Sequence, residues 1–344
     1  MDTGGSDGQK EKISPKRPTI YDLAELAGTS PSAVSSVLNG TWKKRRISEK
    51  LAKRISKIAE EQGYAVNIQA SVLRRVRSNI IGMIMPKYDN RYFGAIAEQF
   101  EALARARGLF PVITCTQREP ELEFEAAREL VSYQVDCLIS TGATDPDRIS
   151  EFCAAAGVRS INLDLPGSKA PSVVSDNFAG ARDLTRLLLQ RFAAPAAEGQ
   201  PLLFIGGRGS DHNTAERIRG FEAAHAEFGI PLPPENILPC GYAAQKAEDA
   251  LDAFPSSLPA GLFVNSTITL EGVIRWQARN PSRAFEFGCF DWDPFAALLP
   301  GNVGMVQQDV AGMLAKVFEL TATEASPDLN VEIPCIIKRL GGQG

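Results

Sequence analysis

The chain has 344 residues, more than one ordinary domain needs, and its 44% hydrophobic and 23% charged content fits packed globular domains rather than a disordered chain. Charge is uneven: residues 1–78 hold 15 Lys and Arg against 8 Asp and Glu, and the remainder 22 against 33, so a net +7 precedes a net −11. Six Cys without a C-x-x-C pair and only two His argue against a disulfide framework or a metal site, and no run of about 18 apolar residues or apolar leader appears, so a cytoplasmic protein without membrane contact is expected.

Residues 1–17 are rich in Gly, Ser, Asp and Lys and are expected to be a disordered tail. Structure should begin at Thr19, because Thr19-Ile-Tyr-Asp22 has the form of a capping box. The helix it opens should run from Ile20 to Ala27 and stop at Gly28. Ser30 and Pro31 restart a helix as cap and first residue; Val34, Val37 and Leu38 follow at helical spacing, and Asn39-Gly40 ends it. A third helix from Ser48 to Gly63 should bury Leu51, Ile55, Ile58 and Ala59. Two short helices around a tight turn, then a longer one, predict a helix-turn-helix domain over 18–64. The second helix presents Ser32, Ala33, Ser35, Ser36 and Asn39, small and polar enough to meet base edges in a major groove. Lys43, Lys44, Arg45 and Arg46 could bind phosphates. A three-helix bundle with a solvated basic loop fits the same pattern, as a solvated surface fits the charge asymmetry.

The stretch Thr19-Ile-Tyr-Asp-Leu-Ala-Glu-Leu-Ala-Gly-Thr-Ser-Pro-Ser-Ala-Val-Ser-Ser-Val-Leu-Asn-Gly40 resembles the head of the LacI/GalR family of bacterial regulators. The resemblance implies a homodimer on double-stranded, pseudo-palindromic operator DNA. It implies DNA contacts from Thr19, Tyr21, Ser30, Ser32, Ala33, Ser35, Ser36, Asn39, Lys43 and Arg45. A hinge over 65–78 is implied next, with Tyr64, Asn67, Ala70 and Leu73, the last matching a residue that wedges into the minor groove. Val66 stands where the family often has Pro, and the loop Gly40 to Arg46 is similar to that of the fructose-repressor, or catabolite repressor-activator, branch.

From Asn79 short apolar runs alternate with amphipathic stretches. Strands are expected at Ile80–Met85, Phe110–Cys115, Val135–Thr141, Ser160–Asp164, Leu202–Gly206, Leu262–Asn265 and Phe287–Phe290, with helices between. Parallel sheets covered by helices follow, and the length of 79–344 calls for two lobes. The expected division is a first lobe of about 79–177 and 309–340, with a helix near Val310–Thr321 and a last strand near Val331–Ile337, and a second lobe of about 178–308. Ligands in such sheets sit at the carboxyl ends of strands, here the cleft between lobes. Asp164, Asn265 and Asp291 close strands; each alone also reads as a loop cap, and Arg217 alone as a surface ion-pair partner.

The family resemblance extends over this region and, at the level of fold, to periplasmic sugar-binding proteins. The predicted fold is thus an all-α helix-turn-helix head plus an α/β periplasmic-binding-protein-like sensor of two parallel-sheet lobes. Arg217-Ile-Arg-Gly-Phe221 matches the family's R-x-x-G-F signature, and by position Phe93, Asp164, Asn213, Arg217, Tyr242, Asn265, Asp291 and Gln308 are implied to bind an effector. A sugar, a sugar phosphate and a sugar acid all suit these groups. Gly206-Gly-Arg-Gly209 lacks the ending of a phosphate loop and reads as a tight strand-to-helix turn; Asp291-Trp-Asp293 reads as a turn plus one ligand contact. No catalytic triad or cofactor motif is found. The expected protein is a repressor of carbohydrate or central carbon metabolism genes, not an enzyme. A transporter's sugar-binding protein and a sugar kinase are alternatives that the basic head and the missing phosphate loop disfavour.

Overall fold

The computed structural model describes residues 18–64, 77–192, 199–255 and 257–340. The expected tail and the hinge positions Asn67, Ala70 and Leu73 lie outside the described residues. The chain divides into two units, Met1–Ser78 and Asn79–Gly344.

In the first unit, α1 (Ile20–Ala27), α2 (Pro31–Leu38) and α3 (Glu49–Glu61) form where their caps direct. Thr19 and Asp22 complete the capping box, and Gly28 takes φ 60°, a left-handed turn open to glycine. Ser30 and Ser48 cap the next two helices through the amides of Ala33 and Leu51. Leu23, Ala27, Val34, Val37, Ala52, Ile55 and Ala59 form the core. Leu51 and Ile58, expected inside, are only partly buried; the buried stripe of α3 is Ala52, Ile55 and Ala59, spaced i, i+3, i+7.

The second unit contains two six-stranded sheets. Its first lobe runs β1 (Ile80–Met85), α4 (Arg91–Ala106), β2 (Phe110–Cys115), α5 (Pro120–Ser132), β3 (Cys137–Thr141), α6 (Pro146–Ala155), β4 (Arg159–Leu163) and β5 (Ser172–Ser175). The second runs α7 (Asn177–Arg191), β6 (Leu203–Ile205), β7 (Gly207–Arg208), α8 (His212–Glu227), β8 (Ile237–Leu238), β9 (Cys240–Gly241), α9 (Ala244–Asp252), β10 (Gly261–Val264), α10 (Thr267–Arg279), β11 (Glu286–Phe290) and β12 (Asn302–Gln307). The chain ends with α11 (Val310–Ala322), β13 (Asn330–Ile333) and β14 (Ile336–Arg339). Strand order is β13-β5-β4-β3-β1-β2 in one sheet and β14-β12-β11-β10-β6-β8 in the other. Both are parallel except for β14, which runs antiparallel to β12.

Both faces of each sheet are covered, which is why the strands read as continuous apolar runs. Along β1 the side chains alternate: Ile81, Met83 and Met85 join Phe100 and Phe318 on one face, and Ile84 joins Leu130 and Leu138 on the other. In the second sheet Trp276 and Phe287 pack on one face, Phe204, Phe221 and Phe263 on the other.

Three expectations need correction. The single last strand near Val331–Ile337 is two strands in different sheets, because Pro334 has no N–H to continue a ladder and the chain passes there to the second lobe. It therefore crosses between lobes three times rather than twice. The turn at Gly206–Gly209 is a two-residue ladder, β7 against β9, before α8 begins. β5 and β12 were not foreseen; Ser172 and Ser175 bound the first, and Asn302, Gly304 and Gln307 interrupt the apolar run of the second, yet both are almost wholly buried.

Candidate functional site

Strands from both lobes end at one cleft of about 250 Å³. Asp164 follows β4 and Asp291 follows β11, at φ 75° and 72°. The left-handed region costs an L-residue about 1–2 kcal/mol, so both turns are held by what surrounds them. The cavity is lined by Phe93, Asp164, Asn213, Arg217, Tyr242, Asp291 and Gln308, seven of the eight residues implied by the sequence. Asn265 stands behind the wall, fully buried, with its amide nitrogen unpartnered.

These side chains form one network. Tyr92 Oη donates to Asp164 Oδ1 at 3.0 Å, and Asn213 Nδ2 reaches the same oxygen from the other lobe at 3.2 Å. Asn177 Nδ2 donates to Asn213 Oδ1, and Asn177 Oδ1 accepts from Arg217 Nε at 2.8 Å. Arg217 Nη1 donates to the Asn265 carbonyl at 2.8 Å, and its guanidinium lies 3.5 Å from the centre of the Phe290 ring. Gln308 Nε2 donates to Asp291 Oδ1 at 2.5 Å while its Oε1 accepts from Ser175. Arg217 is only 4% exposed and is no surface ion-pair partner; Arg219, two residues on, is the exposed one, paired with Glu216.

Burial pushes the carboxyl groups of Asp164 and Asp291 above the ordinary range, against the pull of Arg118 and Arg217 on the first and of Arg217 and Gln308 on the second. Burial, then the negative field of Asp164, holds the Tyr92 phenol well above its usual value, so it stays a donor. Oδ2 of Asp164 and of Asp291 takes no protein hydrogen bond among the described residues. A free carboxylate oxygen from each lobe, amides and a fixed guanidinium suit a ligand of several hydroxyls. Asp293 accepts from the amides of Phe295 and Ala296 and from Arg91, so it is a turn residue.

Sequence reasoning missed Tyr92, Arg118 and Asn177. The apolar spacing of α4 selected Phe93 and gave no sign that its neighbour Tyr92 also faces the cleft. Asn177 follows β5, itself unread. Arg118 follows Gln117, and both have positive φ, 59° and 55°, a conformation that no residue type in that turn announces.

In the first unit, a groove is lined by Ile20, Tyr21, Pro31, Ser32, Ala33, Ser35, Ser36, Arg45 and Ile47. Tyr21 is 72% exposed, a large ring with no structural use there. Ser36 Oγ donates back to the Ser32 carbonyl and Asn39 Nδ2 to the Ser35 carbonyl. Thr19 and Ser30 spend their hydroxyls on caps. Lys43 is exposed and lies over Trp42, while Tyr64 packs on the core.

Comparison with known proteins adds two family matches. Residues 19–67 match bacterial regulatory proteins of the lacI family, and residues 78–280 match periplasmic binding proteins and the sugar binding domain of the LacI family. The chain is 63% identical over 193 residues to the ribitol operon repressor of Klebsiella aerogenes, covering 56% of this chain and 72% of that protein. It is 30% identical over 269 residues to the sucrose operon repressor of Klebsiella pneumoniae, covering 77% and 79%. A lac repressor dimer bound to operator and an anti-inducer matches with a TM-score of 0.75 at 20% identity, covering 94% of this chain and 98% of that one.

Proposed function

The chain belongs to the LacI family of bacterial regulatory proteins, and from that premise we propose that it represses genes for the use of a pentitol and senses that polyol, or the pentulose obtained by oxidising it, in its inter-lobe cleft. It is a DNA-binding transcription regulator that binds operator DNA as a dimer under control of a sugar-type effector. No helix among the described residues is long and apolar enough to cross a membrane, and a cytoplasmic place is part of this proposal.

The observation that carries the effector reading is the convergence of Phe93, Asp164, Asn213, Arg217, Tyr242, Asp291 and Gln308 on one small cavity. Its volume of about 250 Å³ falls below the usual ligand range of about 300–1,000 Å³ and favours one short polyol over a disaccharide. Identity of 63% to a ribitol operon repressor supports the five-carbon polyol over the fructose-repressor branch that the basic loop suggests. In this reading the two open carboxylate oxygens accept from hydroxyls, Arg217 and Asn213 donate, and Phe93 or Tyr242 covers the carbon chain. On the operator side, Tyr21, Ser32, Ala33, Ser35, Ser36 and Asn39 face the bases. Lys43 and Arg45 hold phosphates, Thr19 and Ser30 present helix N-termini to the backbone, and Tyr64, Asn67, Ala70 and Leu73 form the hinge contact.

The test is selection of genomic fragments by the full-length protein, followed by thermal-shift measurements with ribitol, other pentitols, pentuloses, sucrose and hexose phosphates. The expected result is an enriched palindrome beside polyol-use genes and stabilisation by one five-carbon compound. Stabilisation by sucrose or a hexose phosphate alone would overturn the effector assignment.

A further inference from the structure

We propose that two cross-lobe ion pairs beside the cleft form an ionic latch, the arginine of each pair on the first lobe and its aspartate on the second. This rests on the two-lobed fold and not on which effector is bound. Two pairs carry it. Arg91, at the start of α4, reaches Asp293 beyond β11, with Nε 2.6 Å from Oδ2. The other oxygen of Asp293 accepts from the amides of Phe295 and Ala296, so the carboxylate is fixed and aimed before Arg91 meets it.

The second pair is Arg118, beyond β2, and Asp211, before α8. Nη1 of Arg118 stands 4.0 Å from Oδ2 of Asp211, beyond hydrogen-bond range. Asp211 occupies the N-cap position of α8 yet makes no capping bond, and its Oδ2 is buried without a hydrogen-bond partner. The Arg118 guanidinium lies between two rings, 5.9 Å from Phe93 of its own lobe and 5.4 Å from Tyr242 of the other. Both are within cation–π range. Positive φ at Gln117 and Arg118 is what turns this side chain across the gap.

The two pairs therefore act at different stages. Arg91–Asp293 is already engaged and, with Arg91 64% exposed, is open to screening by salt. Arg118–Asp211 is held just short of contact: closing the lobes by about an ångström would bring it to the roughly 2.7–2.9 Å of a charge-assisted hydrogen bond and satisfy the orphan oxygen. The latch thus has one bond made and gains its second on closure.

Pulsed electron-spin measurement of the distance between the lobes tests this in the effector-free, full-length protein. Labels are carried on non-cysteine residues introduced at exposed Glu125 and Glu222. The wild type should give a longer, broader distribution as NaCl rises from low to high concentration. Asp293→Asn should give that open distribution already at low salt. Arg118→Gln and Asp211→Asn should each lengthen the mean distance, by less than Asp293→Asn does, and the double variant no further than either. The charge swap Arg118→Asp with Asp211→Arg should restore the wild-type distance, a rescue that loss of folding would not permit. Distributions of Arg118→Gln and Asp293→Asn that superimpose on the wild type at every salt concentration would overturn the latch.

Discussion

Arg217 is both a buried tie between the elements of the second lobe and part of the cleft wall. Its guanidinium donates to Asn177 and to the Asn265 carbonyl and lies on Phe290. It also supplies positive field to Asp164 and Asp291. Arg217→Ala should destabilise the protein by about 3 kcal/mol, because it leaves buried carboxylates without their cation. It should abolish effector binding in calorimetry and retain operator binding in gel shifts. The carboxyls themselves predict a pH dependence. Both folded-state pKa values are raised, so the charged forms weaken folding at neutral pH, and that cost disappears as pH falls through the raised values. On the proposed reading, the charged forms are the acceptors for the effector's hydroxyls. Calorimetry from neutral to acid pH should show effector affinity falling above the ordinary carboxylate range, before stability does. Affinity that stays flat down to about pH 4, the ordinary Asp range, would show that neither carboxylate binds.

At the scale of elements, α8 carries Asn213 and Arg217 toward the cleft and is locked at its other end by His225. His225 Nε2 accepts from the Leu202 amide at 3.1 Å, so Nδ1 bears the hydrogen donated to Phe221. Burial lowers the imidazole pKa below 6.5, against the opposing hydrogen bond to Phe221. A depressed folded value means stability present above the unfolded pKa and lost as pH falls through the folded one. The His225 imidazole resonance, assigned by its loss in His225→Gln, should titrate below 6.5, and the same variant should flatten the decline of melting temperature on that acid side. Gly220 in the same helix explains part of the R-x-x-G-F pattern. A Cβ there would stand 2.3 Å from the Phe178 carbonyl oxygen and 2.8 Å from the Arg182 amide, both on α7. Gly220→Ala should cost about 1–3 kcal/mol in urea unfolding. Much of this level was legible. Capping residues marked α1 and α2, apolar runs marked the buried strands, and the motif marked Arg217. What was not legible depends on partners distant in sequence: β14 is a strand only because β12 lies beside it, and Tyr92 faces the cleft only because α4 meets Asp164.

At the scale of the molecule, a basic first unit and an acidic second one separate two tasks. Operator affinity should fall steeply with salt, and Arg45→Ala should reduce the slope of log affinity against log salt by about 1 if Arg45 holds one phosphate. The contrary outcome, an unchanged slope, would remove Arg45 from the interface. Control by effector is reciprocal: a compound that weakens operator binding must itself bind less well to the operator complex. The family signature led to this organisation from the head sequence alone, whereas the crossing of the C-terminal strands between lobes was hidden by a single proline. The most direct measurement is fluorescence anisotropy of a selected operator fragment bound to the full-length protein, titrated with ribitol and the pentuloses, for the wild type and Arg217→Ala. Saturable release of the operator from the wild type by one of these compounds, with the variant holding the operator throughout, is the predicted result. Equal release from both proteins, or binding of the compound without any change in operator affinity, would contradict the account.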